Sequence, residues 1–181
     1  MLLHNGRLAD PRDPYVRQIK RLTSKKQKTL EDLDEIMFNE ARASAYETPS
    51  GHLGLPTANV WRCLWDASKL NRLGTKVKMG VIYEMGEVSP LKINGKIVNV
   101  DTYTGNEDHI FSSIVVVQRV RTTRSRCLVH PGWKSTHEFE ILDDVLNVDQ
   151  LNPTFSRMGR LMGIGDWRPL YGQFSLAVRE I

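Results

Sequence analysis

Apolar residues recur at two different spacings along the chain, and the change of spacing marks out its elements. Leu30, Leu33, Met37 and Ala41 fall on one helical stripe with Ile36 beside it, and Thr29 followed by Asp32 resembles a capping box, so a helix is predicted from Thr29 to about Ser44. Glu31, Asp32 and Asp34 sit in its first turn, where the helix dipole favours acids. A second helix opens at Pro56-Thr57, with Thr57 as N-cap, and carries Val60, Trp61, Leu64, Trp65 and Ala67 on one face, with Gly74 as its C-cap residue. A third begins at Asn152-Pro153, with Phe155, Met158, Leu161 and Met162 inward.

Elsewhere the period is two or the apolar run is continuous. Strands are predicted at Tyr15–Thr23, Val81–Met85, Ile97–Tyr103, Ile110–Val120, 135–142 and 174–178. Ile114 to Val117 are contiguous and β-branched, which predicts burial on both faces of that strand. Asn94-Gly95 is a tight hairpin signal, and 46–55 reads as a loop or short hairpin. Helices and strands mix without a regular βαβ rhythm. The expected fold is therefore a single α+β domain over residues 1–181, with one mainly antiparallel sheet, helices packed on one face, and a hairpin insertion over about 86–108.

Composition narrows the class. A 181-residue chain that is 40% hydrophobic and 25% charged is that of an ordinary globule. No apolar run approaches the ~18 residues of a membrane span, and the first six residues lack the apolar core of a secretory signal. Cys63 and Cys127 suit a reducing, cytoplasmic compartment. The net charge of +4 is modest but segregated. Arg17, Lys20, Arg21, Lys25, Lys26 and Lys28 form one acid-free stretch, and Arg119, Arg121, Arg124 and Arg126 form another. Such segregation makes a local positive field, for which nucleic acid is the economical partner.

Candidate chemistry centres on three places. On a strand, Arg119 and Arg121 share one face and Arg124 and Arg126 the other, unless Thr122-Thr123 bends the chain and gathers all four. Guanidinium forks beside hydroxyls suit phosphate; the plainer reading is a hairpin arm paired with Glu138 and Glu140. The loop from Gly163 to Phe174 packs Gly, Pro, Trp167, Arg168 and Tyr171 into a shaped surface between a helix and a strand. Cys127, His130 and His137 give three metal-type ligands with no convincing fourth, so no metal or cofactor is assigned. No P-loop, nucleophile elbow or HExxH motif is present.

Several segments carry a resemblance. Asn5-Gly-Arg-Leu-Ala-Asp-Pro, Lys25-Lys-Gln-Lys-Thr-Leu-Glu-Asp, Leu55-Pro-Thr-Ala-Asn-Val, Arg119-Val-Arg-Thr and the run from Gly163 to Phe174 resemble an uncharacterised family of tailed-phage and prophage proteins, over nearly the whole chain. A more distant resemblance is to the repeat-associated mysterious proteins, the RNA-recognition-like backbone subunits of CRISPR effector complexes. Leu55-Pro56-Thr57-Ala58 with Arg62 stands at their helix-opening turn, and the Gly163–Phe174 loop stands at their glycine-rich loop, with Gln173 where they have Arg. The resemblance implies a ferredoxin-like (RRM-like) sheet, single-strand binding, self-association into an oligomer or filament, and a location in the cytoplasm of a bacterial host.

The combined expectation is a non-enzymatic protein that binds single-stranded RNA or DNA. Arg119, Arg121, Arg124 and Arg126 hold phosphates, Lys25, Lys26 and Lys28 form a second edge, Arg62 and Arg168 add charge, and Trp133, Trp167 and Tyr171 stack on bases. Two alternatives stand beside it. One is an interaction protein whose basic surface meets an acidic protein patch. The other is a metal-dependent nuclease using Asp101, Glu107 and Asp108.

Overall fold

The computed structural model describes residues 1–179 and 181. In chain order its helices and strands are α1 (Pro14–Thr23), α2 (Leu30–Ser44), β1 (Tyr46–Glu47), β2 (Leu53–Pro56), α3 (Thr57–Ser68), α4 (Gly74–Gly80), β3 (Val81–Ile82), β4 (Val88–Pro90), β5 (Lys92–Ile93), β6 (Lys96–Ile97), α5 (Val100–Thr104), β7 (Ile110–Val117), β8 (Val120–Cys127), β9 (Trp133–Lys134), β10 (Glu140–Ile141) and α6 (Asn152–Arg157). The fold is mixed α+β. Its paired strands described here are all antiparallel, and they form four small sheets rather than the single sheet expected. Most strands are two to four residues long, too short to build one continuous layer.

The chain divides into two compact units, each assembled from separate stretches. One holds Leu55–Ser89 and Ser135–Ile181; the other holds Leu2–Gly54 and Pro90–Lys134. The 86–108 stretch, expected as an insertion, is split between them.

In the second unit, α2 forms as its sequence dictates. Thr29 Oγ1 accepts from the Asp32 amide at 3.2 Å and Asp32 returns the bond to the Thr29 amide at 3.1 Å. Residues 15–23, expected as a strand, are instead the helix α1. Asp13 caps it by accepting from the Tyr15 and Val16 amides, Pro14 occupies the first turn where its missing N–H costs nothing, and Val16 and Leu22 are buried. Asn94 and Gly95 take φ of 50° and 82°, which closes the β5–β6 hairpin as predicted. Residues 98–103 do not continue that pairing; Asn99 caps the short helix α5 instead. The most extensive pairing is β7 with β8, eight residue pairs from Ile110↔Cys127 to Val117↔Val120.

In the first unit, Thr57 begins α3 but Pro56 is the cap, because the Thr57 hydroxyl is drawn away to Glu87. Gly74 does not end this helix. α3 stops at Ser68, Arg72 takes the left-handed turn at φ 60°, and Gly74 starts α4. Of the strands expected at 81–85 and 135–142, only Val81–Ile82 and Glu140–Ile141 form, paired with each other. No strand follows Ile141 among the described residues. The last helix starts at Asn152, one residue earlier than expected and without a side-chain cap, continues into a wider turn at Met158–Met162, and leads to the loop at 163–174. That loop packs backbone on backbone: Ile164 N donates to Gly172 O at 2.9 Å and Phe174 N to Gly159 O at 3.1 Å.

Candidate nucleic-acid interface

The β7–β8 hairpin is an arm with an anchored base and an exposed distal half. At the base, Cys127 is fully buried and Ser125 nearly so. Glu40 of α2, itself only 3% exposed, accepts from Arg124 Nη1 at 2.5 Å and from the Ser125 amide at 2.8 Å. Ser44 Oγ accepts from the Cys127 amide, and Leu3 N donates to Cys127 O. The outer edge of β8 is thus satisfied by α2 and the N-terminal segment. Beyond Ser125 this support ends. Ile114 is 70% exposed, Val116 68% and Val120 65%. The β-branched run that the sequence marks as doubly buried is instead the exposed stem of the arm, because only two strands form here and no element covers their distal half.

Pairing register decides where the arginines sit. Arg121 lies opposite Val116, Arg124 opposite Ser113 and Arg126 opposite Phe111. Arg119 is not on a strand at all. It forms the two-residue turn with Gln118, at φ 67° and 49°. Arg119 and Arg121 are exposed and, among the described residues, meet no carboxylate. Arg124 is committed to Glu40, and Arg126 Nη1 donates to Ser125 O at 3.0 Å. The four guanidinium groups are therefore not equivalent, and neither Glu138 nor Glu140 neutralises the exposed pair.

The lysine cluster lies at the other end of α2. Lys25 Nζ bonds Asp32 at 2.6 Å, Lys28 Nζ bonds the Lys25 carbonyl, and Lys26 is exposed. Lys25 is the main reason that Asp32 titrates below the ordinary carboxylate value. From Thr29 to Glu40 the helix advances roughly 17 Å at 1.5 Å per residue, so the lysines and the arm base are two patches on one rod. Trp133 is half-buried and pairs with Ile93 in the β5–β9 ladder, a structural position rather than an open stacking platform.

The remaining predicted residues, Arg62, Trp167, Arg168 and Tyr171, belong to the other unit. There Asp66 collects three cations: Lys69 Nζ at 2.7 Å, Arg62 Nε at 3.0 Å and Arg168 Nη2 at 3.5 Å. Burial alone raises the Asp66 carboxyl, but the Lys69 and Arg62 hydrogen bonds outweigh it and hold it below its ordinary value. Three positive charges against one negative leave a surplus. Lys69 and Arg62 also lie over the Trp65 ring, at 3.7 and 4.6 Å from its centroid. Trp167, 42% exposed at φ 54°, faces Tyr171 with ring centroids 6.2 Å apart. Lys69 is not among the expected binding residues, although its spacing from Asp66 on the polar face of the helix signals the pair.

Two further polar clusters were not anticipated. In the first unit, Thr57 Oγ1 donates to Glu87 Oε2 at 2.6 Å, and His137 Nδ1 stands 2.9 Å from the same hydroxyl. With the hydroxyl proton given to Glu87, Nδ1 carries the proton between it and Thr57, and bare Nε2 accepts from Ser135 Oγ at 2.9 Å. Burial holds His137 below the ordinary histidine value, against the pull of Glu87. In the second unit, Arg42 bonds Asp101 and Glu47, each at 2.5 Å. Burial opposes its charge, but these two bonds raise its pKa overall. Arg42 also borders a shallow depression of about 300 Å³ with Tyr15, Phe38 and Asn39. Its Nη1 is buried without a partner, sealed from that space.

Asp101, named for a nuclease metal, is thus an ion-pair partner of Arg42. Among the described residues no group of three or more His, Cys, Asp or Glu side chains is placed to hold a metal ion. No helix is long and apolar enough to cross a membrane. No family model matches the chain, and neither does any curated protein or solved structure.

Proposed function

We propose that the protein binds single-stranded nucleic acid, with the β7–β8 arm as its principal contact. The observation that carries this reading is Arg119. A two-residue hairpin turn with φ > 0 at both positions, as here, is the type I′ turn, whose need Asn-Gly or Gly-Gly meets without strain. Here Gln118 and Arg119 hold it instead. An L side chain in this region costs roughly 1–2 kcal/mol. A strained residue at an exposed tip is an argument for function, since stability alone favours glycine there. Arg119 and Arg121 present two guanidinium forks beyond the anchored base that meet no carboxylate among the described residues, a donor type suited to phosphate. Lys26, in the same unit, supplies a further phosphate contact.

The ferredoxin-like sheet implied by the distant resemblance is a finer proposal that this reading does not need. The phage affiliation is a proposal of the same kind, and it makes a single-stranded intermediate of phage replication or transcription a natural ligand class. The test is fluorescence anisotropy with single-stranded DNA, single-stranded RNA and duplex at two salt concentrations, on wild type and Arg119→Gly. Binding of single strands that weakens in the variant, with the fold intact, supports the reading. Equal binding by both overturns it.

A further inference from the structure

The free edge of β7 is undefended. Exposed edge strands are normally blunted by Lys, Pro, a bulge or a covering element, because their open amides and carbonyls recruit other strands. From Ser112 to Val117 the strand has none of these. It is uncharged, and β-branched from Ile114 to Val117, and among the described residues no third strand pairs with the hairpin.

Strand parity identifies which groups are open. The amides of Ser125 and Cys127 bond outward to Glu40 and Ser44, so these residues do not exchange hydrogen bonds with their β7 partners, Ser112 and Ile110. By alternation the backbone groups of Ser112, Ile114 and Val116 also point away from β8. Their side chains share one face, and on it Ile114 and Val116 are 70% and 68% exposed.

We propose that this edge pairs with the same edge of a second copy of the chain, antiparallel, about a two-fold axis at Ile114. In that register Ile114 meets its counterpart and Ser112 meets Val116 in both directions. Three pairs that each exchange two bonds give about six backbone hydrogen bonds. The hydroxyl of Ser112 falls beside Val116, and the two exposed isoleucines cover each other.

Charge selects this edge over the other. A pairing through β8 gathers Arg121 and Arg124 of both copies along one seam, and its base is already occupied by Leu3 and α2. Pairing through β7 places the β8 strands outermost, three strand spacings apart. That is roughly 14 Å, beyond the ~8 Å screening length at physiological salt. The result is a four-stranded ribbon with arginines along both margins. A contact of one strand pair is smaller than the ~1,600 Å² of a standard interface, so the dimer dissociates on dilution.

The test is sedimentation of the nuclease-treated full chain between about 1 and 100 μM, which needs no nucleic acid and stands apart from the binding assay. The expected result is a doubling of apparent mass at the upper end, lost in Ile114→Lys. Because Cys63 and Cys127 are fully buried, an added surface cysteine is read cleanly. Ile114→Cys cross-links to a dimer under mild oxidation, while Thr123→Cys on the other edge does not. A wild-type chain monomeric at every concentration overturns the proposal and leaves the edge to a strand of another protein. Equal cross-linking at both positions overturns it as well.

Discussion

Glu40 of α2 accepts a 2.5 Å hydrogen bond from Arg124 of β8, across 84 positions of sequence, and its other oxygen accepts from the neighbouring Ser125 amide. Together these bonds fix the base of the arm to the helix. Removing one partner of a buried ion pair costs about 3–5 kcal/mol, because the other is left uncompensated. Arg124 is about a third exposed, and water screens it, so Glu40→Ala is expected near the lower end, about 3 kcal/mol. Urea unfolding measures this. Arg124→Ala is expected to cost a comparable amount, since it leaves the buried Glu40 carboxylate with only the Ser125 amide.

Gly172 shows how tightly the 163–174 loop is packed. It sits at φ +81°, and a Cβ there would fall 1.7 Å from the Ile164 carbonyl oxygen. Gly172→Ala is expected to destabilise by on the order of 3 kcal/mol, from backbone strain and collision together. Gly6→Ala, where a Cβ meets nothing within 4 Å, is the control and is expected within about 0.5 kcal/mol of wild type.

His137 gives a pH dependence of definite sign. Burial lowers its folded pKa below the unfolded value of about 6.5. Below that pH the unfolded chain binds the extra proton more readily than the folded one, so stability falls as pH drops. Protonation also makes Nε2 a donor, so the bond with Ser135 reverses and the hydroxyl becomes the acceptor. His137→Gln is expected to flatten this part of the stability profile between pH 7 and 5, measured by urea midpoints.

Arg119 separates stability from binding. Arg119→Gly relaxes the left-handed turn and is expected to raise stability by about 1 kcal/mol. If Arg119 grips phosphate as proposed, the same change removes one phosphate contact. A variant that melts higher and binds single strands more weakly is the signature of a residue kept for its charge.

Local chemistry was legible in the sequence where the cause is local. The Thr29–Asp32 capping box and the Asn94-Gly95 turn formed as read, because each is decided by residues within four positions. The helix at 15–23, expected as a strand, carries its start signal just ahead of that stretch, where Asp13 is the cap and Pro14 a first-turn proline. Contiguous β-branched residues correctly marked β7 as a strand but not as exposed, since burial depends on what packs against it. The pairing of Arg124 with Glu40 and the approach of Arg168 to Asp66, 102 positions away, have no local signal. Hence four arginines that look alike in sequence divide into an anchor, a strand margin and a tip.

The most direct test of the binding proposal is the salt dependence of single-strand affinity for wild type and the Arg119→Ala/Arg121→Ala double variant. Each lost phosphate contact lowers the slope of log K against log salt by about 0.7. The account predicts a slope smaller by about 1.4 and weaker binding at low salt. An unchanged slope with unchanged affinity would contradict it.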